Sequence, residues 1–260
     1  MDADHRGQEI MTSWRGRLAG WLLAFGVVAP AAADGSNPSE VARIRSQLAV
    51  EYSRIGNLKS ALDNANQAVQ ADPAYITGYL SRAYVLGLLQ MDDKAEQDYQ
   101  QALKLDPANP QVNNNYGLFL CEHGRPQDSL ALFQKALANP LYDSPQSAYL
   151  NLGRCSAKLG RTDQANDYLL SALRVAPNYA PALSELAEMQ LGLGNAKLAA
   201  FYFERLRSGG GMNGLGAAEL WLGARIARKT GNAALERACG NELKNRFPDS
   251  RETQLLLSGS

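Results

Sequence analysis

Residues 76–109 read ITGYLSRAYVLGLLQMDDKAEQDYQQALKLDPAN, and this stretch decides the fold. It carries a small residue, Ala83, in its first half and an aromatic residue, Tyr99, in its second, with Gln90 between the halves. Small residues let two antiparallel helices approach closely, and an aromatic ring fills the space that they leave. Because proline disfavours continuation of a helix, Pro107 marks the end of the second half. The stretch therefore predicts a hairpin of two helices.

The same pattern recurs along most of the chain at a period close to 34 residues. Five of the six turns carry glycine, which suits the left-handed residue that often ends a helix. One such hairpin cannot bury its apolar face alone, so neighbouring hairpins stack into a continuous core. The turns fall at Gly56, Gln90, Gly124, Gly160, Gly194 and Gly231. We predict an all-α, right-handed superhelix of six helix-turn-helix repeats that start near residues 42, 76, 110, 146, 180 and 217.

Three features depart from the repeat. The sixth repeat is weak, because Glu236 and Gly240 stand where the other repeats carry small and large apolar residues. Residues 208–216 contain five glycines, so we expect a flexible or tightly turned loop, and we interpret it as a hinge between repeats five and six. The loop matches no phosphate-binding motif. Residues 250–257 are expected to form a short terminal cap.

Composition excludes several classes of function. The chain is 45% hydrophobic and carries 26 basic and 26 acidic residues, so it lacks the bulk charge that holds nucleic acid or anionic lipid. Its two histidines and three cysteines favour neither a metal site nor a disulfide-rich scaffold. We predict no cofactor, no metal, no catalytic residue and no small-molecule substrate.

The first 33 residues are predicted to be an export signal. A basic stretch around Arg15 and Arg17 precedes an uncharged apolar run over residues 18–29, and three alanines then end at Ala33. Twelve residues rise only about 18 Å as a helix, which is too short to span a bilayer core of about 30 Å. Met11 is an alternative start of translation. The mature chain, residues 34–260, is then one repeat domain in an oxidising, extracytoplasmic space.

The repeats resemble the tetratricopeptide repeat, which has small residues at the eighth, twentieth and twenty-seventh positions and a large one at the twenty-fourth. Three segments resemble one family of such proteins more closely: residues 113–121 (NNNYGLFLC), residues 209–213 (GGGMN) and residues 243–250 (LKNRFPDS). In that order, after an export signal, they are similar to the PilF/PilW family of type IV pilus biogenesis and stability proteins. The resemblance spans nearly the whole mature chain.

This resemblance implies a non-enzymatic, periplasm-facing factor that supports secretin assembly or outer-membrane placement, pilus stability and thereby twitching motility. It implies the secretin subunit as partner, in the manner of a pilotin. Many family members are outer-membrane lipoproteins, but no cysteine stands at the predicted cleavage point here. We therefore expect a periplasmic protein whose association with the outer membrane is indirect, through a partner. The alternative within this class is a periplasmic adaptor that recruits other envelope or peptidoglycan enzymes.

First-helix positions that face the inner surface of this repeat fold are the candidate binding residues. Amide side chains can pair with both the donors and the acceptors of an extended peptide backbone, and tyrosine adds apolar contact with a polar tip. The alternative for residues 113–115 is capping of the helix that follows Pro110, because asparagine suits N-caps. The predicted protein-binding groove comprises Tyr84, Asn114, Asn115, Leu118, Asn151 and Arg154. Arg154 and Arg225 are expected to give it positive charge.

Cys121 and Cys155 fall on the first helices of successive repeats, so their sulfurs could meet. The pair is either a disulfide, which an exported protein permits, or two buried free thiols. Cys239 would then be left over and buried.

An enzyme hidden in the array is the alternative from another class. His123 at a helix end has no serine or cysteine arrangement around it that reads as a catalytic triad. Glu185 and Glu188, three residues apart, could serve as an acid–base pair, but a solvated helix face explains them more simply. A small hydrolase is therefore the weakest hypothesis.

Overall fold

The computed structural model describes residues 37–259. The signal peptide predicted for residues 1–33, with its alternative start at Met11, lies outside the described residues. Within the described range the chain is entirely helical, with thirteen α-helices and no strand. The helices are α1 Pro38–Arg54, α2 Leu58–Ala71, α3 Ile76–Leu88, α4 Asp92–Leu105, α5 Pro110–Glu122, α6 Pro126–Ala138, α7 Pro145–Lys158, α8 Thr162–Val175, α9 Ala180–Gly192, α10 Ala196–Ser208, α11 Ala217–Thr230, α12 Ala233–Arg246 and α13 Arg251–Leu257.

The first twelve helices form six antiparallel pairs, and each pair packs on the next. The six predicted repeats and the all-α superhelix are confirmed. Helix α1 begins at Pro38, before the predicted start near residue 42, because Asn37 caps it by accepting a hydrogen bond from the Ser39 N–H.

The turns between paired helices have the left-handed backbone that the glycine pattern predicts. Gly56, Gly124, Gly160, Gly194 and Gly231 have φ between 72° and 82°. In the second turn Gln90 adopts φ of 58° instead, a conformation that costs more for a residue with a Cβ atom. The same turn geometry is therefore imposed even where the sequence lacks glycine.

In repeats three and four, a glycine of the first helix receives a large residue of the paired second helix. A Cβ atom added to Gly117 would lie 2.8 Å from the ring of the fully buried Phe133. A Cβ atom added to Gly153 would lie 2.8 Å from the side chain of Leu169. These distances are shorter than van der Waals contact, so the helices approach as closely as the absence of a side chain allows.

Helix α13 closes the C-terminal end of the stack, which confirms the predicted cap. Gly240 of α12 leaves room for Leu256, whose Cδ2 atom would lie 3.3 Å from an added Cβ. The Thr253 hydroxyl donates to the carbonyl oxygen of Phe247 over 2.7 Å. Gly240, the residue that made the sixth repeat look weak, therefore accommodates the cap.

The glycine-rich loop takes the tightly turned form, with one turn of 3₁₀-helix at Met212–Gly214. The guanidinium group of Arg246 donates to the carbonyl oxygens of Met212, Asn213 and Leu215, each over 3.0 Å. One continuous core cluster also extends from α7 to α12. The interpretation of this junction as a hinge does not fit such packing, because repeats five and six share a core and the loop is fastened to α12.

Candidate protein-binding groove

A groove of about 740 Å³ opens where the first helices of repeats one to three meet. We call it the concave groove. The side chains of Val50, Tyr84 and Leu88 line it and are 45%, 48% and 44% exposed. Its other apolar lining residues include Leu80, Leu118 and Phe119, and its polar ones include Thr77, Gln111, Asn115, Glu122 and His123.

The structure brings three of the six predicted groove residues together. Tyr84 comes from α3, and Asn115 and Leu118 come from successive turns of α5. Asn114, Asn151 and Arg154 do not line the concave groove; they lie beyond it, on α5 and α7. Half of the predicted residues therefore line the concave groove, and the other half lie beside it.

Stacked aromatic rings support the wall of the concave groove. The ring of Tyr99 packs on those of Tyr116 and Phe119, with centroids 5.4 and 5.2 Å away, and burial raises the pKa of Tyr99 well above its usual range. His123 stacks on Phe119 at 4.2 Å. His123 is fixed directly after α5 by two contacts. Its Nδ1 lies 2.8 Å from the Phe119 carbonyl oxygen, and its Nε2 lies 3.2 Å from a carboxylate oxygen of Asp92.

Three amide side chains form a hydrogen-bonded ladder beside the concave groove. Asn151 Nδ2 donates to Asn114 Oδ1 over 3.1 Å, and Asn114 Nδ2 donates to Asn115 Oδ1 over 3.2 Å. Within residues 37–259, Asn115 Nδ2 has no hydrogen-bond partner. The ladder therefore orients Asn115 with its amide donor available to a ligand.

Two expectations about these asparagines are wrong. Asn114 and Asn151 are only 8% and 5% exposed, so they are buried inter-repeat contacts and not solvated groove amides. Asn109 is the residue that caps α5, by accepting from the Val112 N–H over 3.1 Å. Asn113 instead donates to the carbonyl oxygens of the chain that enters the helix, at Pro107 and Asn109.

The expectation of free positive charge at Arg154 and Arg225 is also wrong. Arg154 Nε lies 2.6 Å from a carboxylate oxygen of Glu185, and Arg225 Nη1 lies 2.8 Å from Glu188. Each pair joins the first helices of adjacent repeats. Glu185 and Glu188 are thus each paired with an arginine, and their carboxylates are not directed at one another as an acid–base pair requires.

Helices α5 and α7 bring the sulfur atoms of Cys121 and Cys155 to 2.07 Å, with the Cα atoms 5.9 Å apart. Both distances are those of a disulfide bond. We propose that this bond is closed in the exported protein, where it would fasten repeat three to repeat four beside the amide ladder. Cys239 is buried as expected, and burial raises the pKa of its thiol to about 11.

Sequence reasoning missed Val50, Thr77 and Leu88 as lining residues of the concave groove. Val50 and Thr77 occupy first-helix positions equivalent to those of Leu118 and Gln111, so the repeat register contained the signal. In the described part of the chain, no group of three or more His, Cys, Asp or Glu side chains is arranged to hold a metal ion. Nor is any helix there both long and apolar enough to cross a membrane.

The fold and its inner groove define a tetratricopeptide repeat protein. Profiles of that repeat match residues 76–109, 93–147, 122–180 and 150–213, which together make up more than half of the chain.

Individual relatives narrow this class to one family. The type IV pilus assembly protein PilF of Pseudomonas aeruginosa is 28% identical over 241 residues, which cover 90% of this chain and 94% of PilF. The crystal structure of PilW, a widely conserved type IV pilus biogenesis factor, is 38% identical with a TM-score of 0.72, over 85% of this chain and 100% of PilW. The solved structure of Pseudomonas aeruginosa PilF superimposes with a TM-score of 0.70 at 27% identity, over 86% of this chain and 100% of that one. The chain belongs to the PilF/PilW family of tetratricopeptide repeat proteins.

Proposed function

We propose that the chain is a protein-interaction scaffold for type IV pilus biogenesis that supports assembly or outer-membrane placement of the secretin and thereby pilus stability. Two relatives, PilW and PilF, are named as a type IV pilus biogenesis factor and a type IV pilus assembly protein. These names support a role of this chain in pilus biogenesis. The observation that carries the binding role is the concave groove, where exposed Tyr84 and Leu88 stand beside the oriented amide of Asn115. Monomeric proteins rarely expose contiguous apolar surface without a partner for it.

The ligand that this groove suits is an extended peptide segment with an apolar side chain. An extended segment presents a backbone carbonyl oxygen at each residue, which the free Nδ2 of Asn115 can bind. The ring of Tyr84 and the side chains of Leu88 and Val50 would cover the apolar side chain. A single hydrogen bond contributes only about 0.5–1.5 kcal/mol, so the apolar contact supplies most of the affinity.

We place the partner in the periplasm, as the secretin subunit, and expect outer-membrane association only through it. Mass spectrometry of the protein from native envelopes should then find Asp34 at the N-terminus. Detection of a protein that still contains residues 18–29 would overturn the export proposal.

The cellular test is deletion of the gene followed by assays of secretin multimers and twitching motility. Loss of both, with restoration by the wild-type chain and not by Tyr84→Ala, supports the proposal. Normal multimers and motility in the deletion strain would exclude the secretin as partner. The matched control is Phe201→Ala, because Phe201 is an aromatic residue that is 54% exposed and lies outside the concave groove.

A further inference from the structure

Helix α1 has a second apolar face that no part of residues 37–259 covers. Its inner face is buried against α2 and α3, through residues such as Ala42 and Ala49. Its outer face carries Ile44 and Leu48, and Ile55 follows directly after the last residue of the helix; the three side chains are 43%, 37% and 67% exposed. Three large aliphatic side chains that share one side of a surface helix are a candidate interface.

Later repeats show what this face does when it has a neighbour. The third and seventh positions of each first helix face the preceding repeat. In repeat three these positions are Val112 and Tyr116, which are buried and pack against Ala102 and Tyr99 of α4. In repeat one they are Ile44 and Leu48. The end of a repeat array normally carries polar residues there, so aliphatic residues indicate a further partner.

The charges beside this face favour a second copy of the chain as that partner. Along one edge of α1 the order is Glu40, Arg43, Glu51, Arg54, with ion pairs at 2.6 Å between the first two and 3.0 Å between the last two. All four side chains are 45–74% exposed. When two such helices run antiparallel about a two-fold axis near Gln47, Glu40 faces Arg54 of the other copy, and Arg43 faces Glu51. The edge is therefore self-complementary, as an isologous interface requires.

We propose that the chain forms a two-fold symmetric dimer through antiparallel packing of α1 on α1 of a second copy. The side chains of Ile44 and Leu48 fill the centre, and the four-charge edge sets the antiparallel direction. A helix of 17 residues is about 25 Å long, and one pair of such helices buries less than a standard interface. The dimer is therefore weak and dissociates on dilution.

The first test is sedimentation equilibrium of the full chain as the cell processes it, over roughly 5–500 µM, the range in which weak interfaces associate. The average mass should rise towards twice that of the monomer. Leu48→Lys places two ammonium groups at the centre and should raise the dissociation constant at least about tenfold. Leu141→Lys, at an 88% exposed leucine distant in sequence from α1, is the matched control and should change nothing.

The second test uses charge reversal and separates this geometry from any other contact. Arg43→Glu alone places glutamates opposite each other in the dimer, and Glu51→Arg alone places arginines opposite each other, so both variants should be monomeric. An equimolar mixture of the two restores opposite charges at both sites and should form a heterodimer. A wild-type chain that stays monomeric, a dimer that Leu48→Lys leaves intact, or a mixture that does not associate would each overturn the proposal.

Discussion

Asn151 Nδ2 lies 3.1 Å from Asn114 Oδ1, so a buried amide hydrogen bond joins the first helices of repeats three and four. The same ladder continues to Asn115, which lines the concave groove. The amides therefore have two separate roles. Asn114 and Asn151 hold the repeats together, and we propose that Asn115 contacts the ligand.

Asn151→Ala should lower the free energy of unfolding by about 1–3 kcal/mol, because it leaves Asn114 Oδ1 buried without a donor. Asn115→Asp is the matched control. It keeps the oxygen that accepts from Asn114 and replaces the amide donor with a second carboxylate oxygen; because Asn115 is only partly buried, stability should stay within about 0.5 kcal/mol. Chemical denaturation measures both. Equal stability of Asn151→Ala and wild type would show that the ladder is not a structural contact.

Arg246→Ala should destabilise the junction between repeats five and six by about 1–3 kcal/mol, because three carbonyl oxygens lose a charged donor. Arg246→Lys should recover little of this, since an ammonium group cannot span the three acceptors as the planar guanidinium does. Amide exchange at Met212–Leu215 should accelerate in both. Lys244→Ala, at an exposed lysine of the same helix, is the control and should leave the exchange rates unchanged. Unchanged exchange in Arg246→Ala would show that the Arg246 hydrogen bonds do not hold the loop in place.

The proposed Cys121–Cys155 bridge would close a segment of 34 residues, and its loss in Cys155→Ser should lower stability by about 2–4 kcal/mol. Alkylation of the denatured, unreduced protein should label Cys239 alone. In the folded protein Cys239 should react slowly with the alkylating reagent even at pH 8. Burial raises its pKa to about 11, so the side chain remains a protonated thiol and not the reactive thiolate. Labelling of all three cysteines without reductant would reject the bridge.

Gly117→Ala should destabilise the fold by about 1–3 kcal/mol, because the new methyl group meets the buried ring of Phe133. Gly192→Ala is the matched control, since its Cβ would meet no atom within 4 Å and its φ needs no glycine. That substitution should be neutral or slightly stabilising. Thermal melts distinguish the two. A wild-type melt for Gly117→Ala would contradict the close-packing account of the repeat.

Most of the fold was predictable because the repeat encodes it six times. Small residues such as Gly117 and large ones such as Phe133 recur at fixed positions in most repeats, so the period is visible without any tertiary information. The hydrogen bonds that hold the glycine-rich loop to α12 were not predictable in this way. Glycines alone indicate only backbone freedom, and the group that removes that freedom, Arg246, comes from more than thirty residues later in the chain.

The candidate site was predictable in part. Repeat register placed Tyr84, Asn115 and Leu118 on the inner surface, because equivalent positions of every first helix face the same way. The position of a residue within the repeat does not show whether its side-chain amide is exposed or is covered by the neighbouring repeat. Asn151 and Arg154 find partners on adjacent helices, Asn114 and Glu185, and such pairing depends on side-chain geometry between repeats.

We propose that the concave groove binds the periplasmic portion of the secretin, and titration calorimetry of the two proteins measures this affinity directly. Tyr84→Ala combined with Asn115→Asp should weaken binding at least about tenfold, because about 1.4 kcal/mol corresponds to a factor of ten and both the ring contact and the amide donor are lost. The thermal melt of this variant should match that of the wild type. Wild-type affinity in the double variant, with an unchanged melt, would contradict the account.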